Sequence, residues 1–333
     1  PHPRDLPLTP HSPPESTRLF QGLLLVWLLL VSALSLFWPE LVGTARFDPF
    51  TACKPLIPWM ITCTMFAVGV MLPREEVRQL RERWPHVLFG TLIQYTTMPL
   101  LAWAAAYLFR LPEDYRIGMI LVGCVPGAMA SNVITMNARG HTSYSVGLTT
   151  FATMLSPLIV PITLWLALGT GTGTSKDWDF IAVGVNLFKQ VVAPVLAGYL
   201  LTRLWPKAER VGGVIGPPLA NLFILAIIAT VVALNRERMM IGTLTVALPL
   251  LAVNLLGYAS GYAAGSAIGQ PESMRRALAI EVGMQNAGLG TSLAIQLFPD
   301  HPAATVPTAL YTFGCVLTGM ILAAIWAHRL PKS

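Results

Sequence analysis

The stretch VGCVPGAMASN at residues 122–132 decides the fold, because it interrupts an apolar run with a proline, a glycine and two polar side chains. Pro126 removes a backbone donor and Gly127 adds conformational freedom, so a helix is expected to stop here. Ser131 and Asn132 carry oxygens that favour the N-terminus of a restarting helix. We therefore predict a discontinuous helix rather than a simple proline kink, with its free backbone groups facing protein or a water-filled cavity.

A second polar stretch, EVGMQNAGLG, occupies residues 281–290 of a later apolar run. Glu281 is the only acidic residue well inside any predicted span, and a carboxylate in lipid has to be paired, protonated or bound to a cation. Gln285 and Asn286 add neutral oxygens, and sites made only of oxygen suit hard cations such as sodium. The alternative interpretation is a structural glutamate that is hydrogen-bonded between helices.

The composition indicates that the chain is embedded in a lipid bilayer. Of the 333 residues, 54% are apolar and only 11% are charged, whereas soluble domains carry about a quarter charged residues. The net charge of +6 comes from basic residues in short loops between apolar runs. That placement is typical of membrane topology and indicates no nucleic-acid partner. Nothing in the sequence indicates an obligate protein partner.

The apolar runs predict an all-α polytopic membrane protein with ten transmembrane helices, since a spanning helix needs about 20 mostly apolar residues. Residues 1–16 are predicted to form a disordered N-terminal tail, and residues 329–333 a C-terminal tail. The predicted spans cover residues 18–38, 54–72, 86–109, 116–138, 143–168, 178–204, 214–234, 239–268, 273–297 and 303–327.

The loop charges predict the orientation of this bundle. Ten spans put both termini on one side, and the loops on that side hold about twice as many Lys and Arg residues as the others. We therefore expect both termini in the cytoplasm and the protein in the cell inner (plasma) membrane.

A faint internal echo suggests two five-helix repeats, residues 17–172 and 173–328. Pro112-Glu113 precedes the fourth span and Pro271-Glu272 precedes the ninth, and each of these spans contains a polar, glycine-containing break. Because five is odd, two such copies would insert in opposite orientations, and inverted repeats of this kind are typical of transporters.

Other polar residues inside spans have more than one interpretation. Gln94, Ser145 and Thr149, taken singly, favour hydrogen bonds between helices over a role as ligands. Lys189 lies mid-span, where it could reach the headgroups, pair with Glu281 or meet an anionic substrate. Asn254 is interpreted as an amide that helps helices to pack, and the alternative is that it lines a cavity.

At its two polar breaks the sequence resembles the bile acid:sodium symporter family. The first match runs from Pro126-Gly127 through Ser131-Asn132 to Thr149-Thr150, and the second is the stretch that begins at Glu281. The likeness extends over nearly all ten spans. It implies panel and core domains, with discontinuous fourth and ninth helices that cross near the bilayer centre.

The resemblance also implies two Na⁺ sites beside this crossing. The residues that it assigns to the first site are Ser131, Asn132, Ser145, Thr149 and Glu281. Those that it assigns to the second, partly through backbone carbonyls, are Gln94, Glu281, Val282, Met284 and Gln285.

An organic anion is expected to bind between the two domains. The resemblance places Met129, Asn132 and Asn286 next to it and Cys315 nearby in the tenth span, while Asn254 and Lys189 are further candidates. Met129 and Cys315 depart from residues common among relatives, so the substrate could be a bile-acid-like, pantoate-like or other carboxylate.

Together these features predict a secondary active transporter that carries an organic anion with sodium by alternating access. The alternatives are a proton-coupled transporter or sodium/proton antiporter that uses the same buried glutamate, and an anion sensor without transport. An intramembrane enzyme is disfavoured, because all six histidines lie in tails, loops or span ends and no HExxH motif occurs.

Overall fold

The computed structural model describes residues 24–42, 47–72, 83–169 and 180–328. These ranges are almost entirely helical, and the β-type pairing among them is one isolated bridge between Gly127 and Gln285. The predicted tails, residues 1–16 and 329–333, lie outside the described residues. The all-α prediction is confirmed for the part of the chain that can be described.

The first half of the described chain forms six helices, two of which are halves of an interrupted helix. A short turn of helix, Pro49–Ala52, precedes the second of them and is capped by the Asp48 side chain. The six are α1 (Leu24–Val42), α2 (Ile57–Met71), α3 (Trp84–Leu108), α4 (Glu113–Cys124), α5 (Ala130–Asn137) and α6 (Thr142–Gly169).

The second half adds seven helices and repeats the interrupted pattern. A π-helical turn, Phe188–Val192, joins the first two of them. The seven are α7 (Phe180–Leu187), α8 (Ala193–Leu204), α9 (Pro206–Leu234), α10 (Arg236–Ala267), α11 (Glu272–Gly283), α12 (Ala287–Leu297) and α13 (Thr305–His328).

Seven helical segments of the described chain are long and apolar enough to cross a membrane. The remaining three of the ten predicted spans coincide with α1 and with the pairs α4/α5 and α11/α12, which are shorter, so the count of ten spans stays a prediction. The seven segments are Pro49–Met71, Trp84–Leu108, Thr142–Gly169, Ile181–Leu204, Val211–Leu234, Leu244–Ala267 and Pro302–His328.

The helices pack as two groups. In the first group, α2 packs against α8 and α9, and α1 packs against α9. A methyl group at Gly69 of α2 would lie only 2.0 Å from the Val195 carbonyl oxygen of α8, so these helices approach almost backbone to backbone. In the second group, α10 packs against α3, α11 and α13, while α4 packs against α3 and α13.

Large apolar side chains cover the outside of the bundle. Leu108, Leu204 and Leu244 are each at least 80% exposed, and many other leucine, isoleucine and tryptophan side chains are exposed as well. A water-soluble protein of this size does not expose apolar surface on this scale. The exposed side chains are those expected of helices in contact with lipid.

Candidate functional site

The two helix interruptions meet each other inside the second group of helices. We call residues 125–129 the first break and residues 284–286 the second break. The Ala128 amide donates to the Met284 carbonyl at 2.9 Å, and the Asn286 amide donates to the Pro126 carbonyl at 2.7 Å. Each break thus satisfies backbone groups that the other leaves free, which is how an interrupted helix becomes stable away from water.

Glu281 lies beside this contact, in the last turn of α11, and is fully buried. The Ser131 hydroxyl donates to Glu281 Oε2 at 2.6 Å, and the Thr149 hydroxyl donates to Oε1 at 2.7 Å. Ser145 is a more distant donor at 3.5 Å. No Lys, Arg or His among the described residues pairs with this carboxylate, so its charge requires a bound cation or a proton.

Asn132 completes this group, which we call the Glu281 cluster: Ser131, Asn132, Ser145, Thr149 and Glu281. The Asn132 side-chain oxygen accepts hydrogen bonds from Ser145 at 2.9 Å and from Thr149 at 3.5 Å. The first predicted sodium-ligand set is therefore brought together, from α5, α6 and α11.

One local expectation is wrong, because Ser131 and Asn132 do not cap the restarting helix. The helix restarts at Ala130, and Met129 holds the N-cap position with helical backbone angles and no side-chain capping bond. Ser131 is already inside the first turn, where its hydroxyl is directed to Glu281 instead. The carboxylate thus takes the hydroxyl that the sequence pattern assigned to the helix end.

Members of the second predicted ligand set contact one another beside the second break. Gln94 Nε2 donates to Gln285 Oε1 at 3.4 Å, and Gln285 Nε2 donates to the Val282 carbonyl at 3.0 Å. Gln94 is buried, and its Oε1 has no hydrogen-bond partner among the described residues. A buried amide oxygen without a donor is an open position for a cation.

Gly127 provides the space between the two sets. A Cβ atom at this position would lie 2.0 Å from Glu281 Oε1 and 3.2 Å from Gln94 Nε2. The donors around that space are carboxylate, hydroxyl, amide and carbonyl oxygens. The described residues contain no group of three or more His, Cys, Asp or Glu side chains arranged for a metal. Such a donor set fits sodium and does not fit zinc or copper.

A cavity of about 380 Å³, which we call the central cavity, lies next to the two breaks. Four of the six residues predicted to contact substrate line it: Met129, Asn132, Asn286 and Cys315. The described residues that line it include many apolar side chains and several amides but no charged side chain. An anion in this cavity would therefore depend on amides and helix N-termini rather than on a salt bridge.

The two remaining candidates lie elsewhere. Asn254 is buried behind the second break, and its amide donates to the Gly283 carbonyl at 2.8 Å. Lys189 is exposed on the π-helical turn between α7 and α8. Neither residue is among those that line the central cavity.

Comparisons with known proteins identify the family of the chain. Residues 58–241 match the model of the Sodium Bile acid symporter family. The chain belongs to this family. It is 32% identical to the uncharacterized sodium-dependent transporter YocS of Bacillus subtilis, with 92% of this chain and 91% of that protein covered. It is 31% identical to the probable sodium/metabolite cotransporter BASS1 of Arabidopsis thaliana chloroplasts, with 88% and 72% covered.

The fold of this family member also resembles a solved structure. The sodium proton antiporter MjNhaP1 from Methanocaldococcus jannaschii superimposes with a TM-score of 0.60, and the match covers 96% of this chain and 99% of that chain. The sequence identity is 12%, so the likeness concerns the fold alone.

Of the residues that hold the second break of this symporter-family protein in position, the sequence indicated Asn254 as a helix-packing amide but not Tyr311 or Thr318. Tyr311 donates to the Gly283 carbonyl at 2.7 Å, alongside Asn254, and the Thr318 hydroxyl donates to Asn254 Oδ1 at 2.6 Å. These contacts join α10, α11 and α13. A tyrosine buried in an apolar span was the one signal available, since a buried tyrosine hydroxyl usually has a partner.

Proposed function

We propose that this protein is a secondary active transporter that moves sodium together with an organic anion by alternating access. The observation that carries the proposal is the fully buried Glu281 carboxylate, which three hydroxyl groups surround and no cationic side chain of the described residues neutralises. Sodium would neutralise it, and the relatives are named as a sodium-dependent transporter and a probable sodium/metabolite cotransporter.

Two sodium sites share this carboxylate in our proposal. The Glu281 cluster would hold one ion through hydroxyl, amide and carboxylate oxygens. The other ion would use Glu281, the unpartnered Gln94 Oε1, Gln285 and the carbonyls of Val282 and Met284. Both carbonyls already accept one hydrogen bond, and each keeps a second lone pair for a cation.

The organic anion would bind in the central cavity, at which α5 and α12 begin. The first-turn amides of a helix have no intrahelical acceptor and carry partial positive charge. Met129 and Asn286, which immediately precede the two helices, both line the cavity, and so does Cys315. Several of these amides already have acceptors, among them Ser131 with the Ala128 carbonyl and Leu289 with Asn286 Oδ1. A carboxylate or sulfate would therefore be held mainly by the partial positive charge of both helix ends, and the apolar walls suit an organic body.

Sodium and anion would be coupled through the two breaks. Cations bound by Glu281 and Gln94 would tie α11 to α3, α5 and α6, and so fix the positions of the helix N-termini that the anion needs. A ligand shifts a conformational equilibrium only by its differential affinity for the two states. Coupled transport then requires that sodium and anion both favour the same arrangement of the breaks.

We propose an architecture of ten spans in two inverted repeats, residues 17–172 and 173–328. The protein would lie in the plasma membrane with both termini facing the cytoplasm. In support, α4 and α11 are both 12 residues long and both follow a proline with nearly identical backbone angles. The group that contains α1, α2, α8 and α9 would be the panel. The helices around the breaks would form the core, which moves against the panel to alternate access.

The decisive experiment is a Glu281→Gln substitution, which keeps the size of the side chain and removes its charge. We expect sodium, but not potassium, to raise the unfolding temperature of the wild-type protein by mass action, and we expect this shift to disappear in the variant. In proteoliposomes, sodium-driven uptake should fall to the level of empty liposomes. The substrates to screen are taurocholate, pantoate and pyruvate as organic anions of increasing polarity.

Glu113→Gln is the matched control, because Glu113 is an exposed acid in the first turn of α4. It should leave the sodium shift and uptake unchanged. Sodium-dependent stabilisation that persists in Glu281→Gln would overturn the proposed sites.

The second candidate function is proton coupling or sodium/proton antiport. The lack of a cationic partner for Glu281 among the described residues favours it as well, because a proton would neutralise the carboxylate equally well. The two functions differ in what stabilises the purified protein. Stabilisation by acid without any response to sodium would favour the proton, and binding of an anion without flux in proteoliposomes would indicate a sensor.

A further inference from the structure

A second cavity of about 290 Å³ lies at the end of the bundle where α2 begins. We call it the Lys54 cavity. Pro55, Ile57 and Ile295 form apolar walls, and Ser292 and Gln296 contribute polar groups. Lys54, whose side chain is exposed, is the one charged residue among the described residues that line either cavity. A cation at the rim of an apolar cavity suits an amphipathic anion.

The Lys54 cavity and the central cavity lie along the same two helices. On α2, Ile57 lines the Lys54 cavity and Ile61 lines the central cavity. On α12, Ser292 lines the first and Leu289 lines the second. Steps of three or four residues correspond to about one helical turn, or roughly 5 Å. Only a thin barrier between α2 and α12 thus separates the two cavities.

A pair of glutamines joins the two helix groups beside the Lys54 cavity, where Gln296 lies about one helical turn beyond Ser292 and away from the central cavity. Gln190 Nε2 donates to Gln296 Oε1 at 3.1 Å, and Gln296 Nε2 donates back to Gln190 Oε1 at 3.2 Å. Gln296 also donates to the Ser292 hydroxyl at 2.7 Å. Gln190 lies on the π-helical turn Phe188–Val192, and such turns are frequent at functional sites. The two amides are neutral and part-buried, so water can replace the hydrogen bonds between them when the helices separate.

We propose that the Lys54 cavity is an entry site for an organic anion, with Lys54 selecting negative charge and the Gln190–Gln296 pair holding the two helix groups together around the cavity until the passage opens. This inference rests on the proposed function, since it takes the anion of the central cavity as the ligand. The central cavity lacks a charged side chain among its described lining residues, so charge selection would take place at Lys54, before the passage opens.

Thiol labelling tests the proposal without a known substrate. Ser292→Cys is made in the full chain after Cys53→Ser, Cys63→Ser and Cys315→Ser, because Cys315 lines the central cavity, and the buried Cys124 stays in place. Intact membranes are treated with an anionic and a cationic methanethiosulfonate reagent of similar size. We expect the anionic reagent to react faster, and Lys54→Gln to reduce this preference by about tenfold at low salt, as expected for the loss of electrostatic focusing in a cleft.

The glutamine pair is tested in the same assay. Because Ser292 is buried, its labelling reports opening of the cavity, and Gln190→Ala should accelerate labelling by both reagents equally. Glu113→Cys, at an exposed position that lines neither cavity, is the control and should show no response to Lys54→Gln.

Two results would overturn the inference: equal reactivity of both reagents before and after Lys54→Gln, or a Ser292→Cys thiol that never reacts. Neither result depends on sodium coupling. Loss of sodium-driven uptake in the wild type would instead contradict the proposed function, so the two failures are distinguishable.

Discussion

The two interrupted helices begin alike and break differently. Both α4 and α11 are 12 residues long, follow a proline with φ near −50° and ψ near 150°, and carry a glutamate in the first turn. The first break then runs over residues 125–129 with Pro126 and Gly127, whereas the second runs over residues 284–286. Only the second has a charged residue, Glu281, in the helical turn just before it, and only the second ends in a side-chain cap.

This difference shows how a nearly symmetric backbone holds an asymmetric site. Asn286 accepts from the Leu289 amide at 3.1 Å and so caps its own helix, while Met129 caps nothing. The first break instead leaves room, because Gly127 has no side chain where the Glu281 carboxylate lies. One break therefore supplies the charge and the other supplies space and hydroxyl groups.

The largest expected effect comes from filling that space. Gly127→Ala would bring a methyl group to 2.0 Å from Glu281 Oε1, so the carboxylate or the backbone has to move. We expect a loss of about 1–3 kcal/mol of stability, as for overpacking in a tight core. We also expect loss of the sodium-dependent shift in unfolding temperature, measured by thermal unfolding with sodium and with potassium.

Gly288→Ala is the matched control at the start of the other restarting helix. Its new methyl group would meet only Asn286 Oδ1, at 3.7 Å, which is an ordinary contact. It should keep both stability and the sodium response. Equal effects of the two substitutions would contradict this difference between the helices, since Gly127 would then be no more sensitive to an added methyl group than Gly288.

A smaller effect is expected from the contacts behind the second break. Asn254→Ala removes one of two side-chain donors to the buried Gly283 carbonyl and leaves the Thr318 hydroxyl without this acceptor. Groups left unpaired in this way cost about 1–3 kcal/mol, and the remaining bond from Tyr311 should keep the loss near the lower end. Thermal unfolding in detergent measures it.

Tyr311→Phe and the double variant complete a cycle. If both donors serve the same carbonyl, the double variant should lose more stability than the sum of the single variants. Additive losses would mean that the two side chains stabilise the protein independently of the break.

The sequence predicted the parts of the site that depend on local chemistry. A proline and a glycine in an apolar run were enough to predict the first interruption, and a single acid in a span was enough to predict where the charge lies. The capping role that the local pattern gave to Ser131 was wrong, whereas the resemblance had grouped Ser131 with Glu281; the hydroxyl can either cap a helix or bind a carboxylate 150 residues away. That choice depends on how α5 packs against α11, which local pattern does not contain.

The same limit explains why the contacts of Asn254 with Tyr311 and of Gln190 with Gln296 were not predicted. Each joins helices that are distant in sequence, and each involves residue types that usually serve ordinary packing inside a membrane. Lys189, by contrast, was a candidate only because it is a charge in an apolar run. Its side chain is exposed next to Gln190 and makes no ion pair with Glu281.

The caps of the two restarting helices differ by an amount that can be measured. Asn286→Ala removes the bond to the Leu289 amide and should cost about 1 kcal/mol, as for other N-cap asparagines. Met129→Ser should give no comparable gain, because Met129 has helical backbone angles, whereas capping residues usually adopt extended ones. Thermal unfolding of both variants tests the contrast, and a clear stabilisation by Met129→Ser would contradict it.

The smallest effect concerns the start of the second interrupted helix. Burial raises the pKa of Glu272, but hydrogen bonds donated by Arg276 at 2.9 Å and Tyr262 at 2.8 Å outweigh it and hold the pKa below its usual value. A lowered carboxyl pKa adds stability above the unfolded-state pKa, and this contribution is lost as the pH falls through the folded-state value. The wild type should therefore lose stability as the pH falls below ~4, the usual range of an unfolded glutamate, partly through this group.

Glu272→Gln should lose a small amount of stability at neutral pH and should then show a flatter dependence of unfolding temperature on pH in the acidic range. The effect is small because the Glu272 side chain is 42% exposed and water screens its pair with Arg276. Tyr262→Phe removes one of the two donors and should give an intermediate profile. If the Glu272→Gln profile runs parallel to that of the wild type, this ion pair contributes no pH-dependent stability at the start of α11. The starts of the two interrupted helices would then not differ in the stability that their acidic residues contribute.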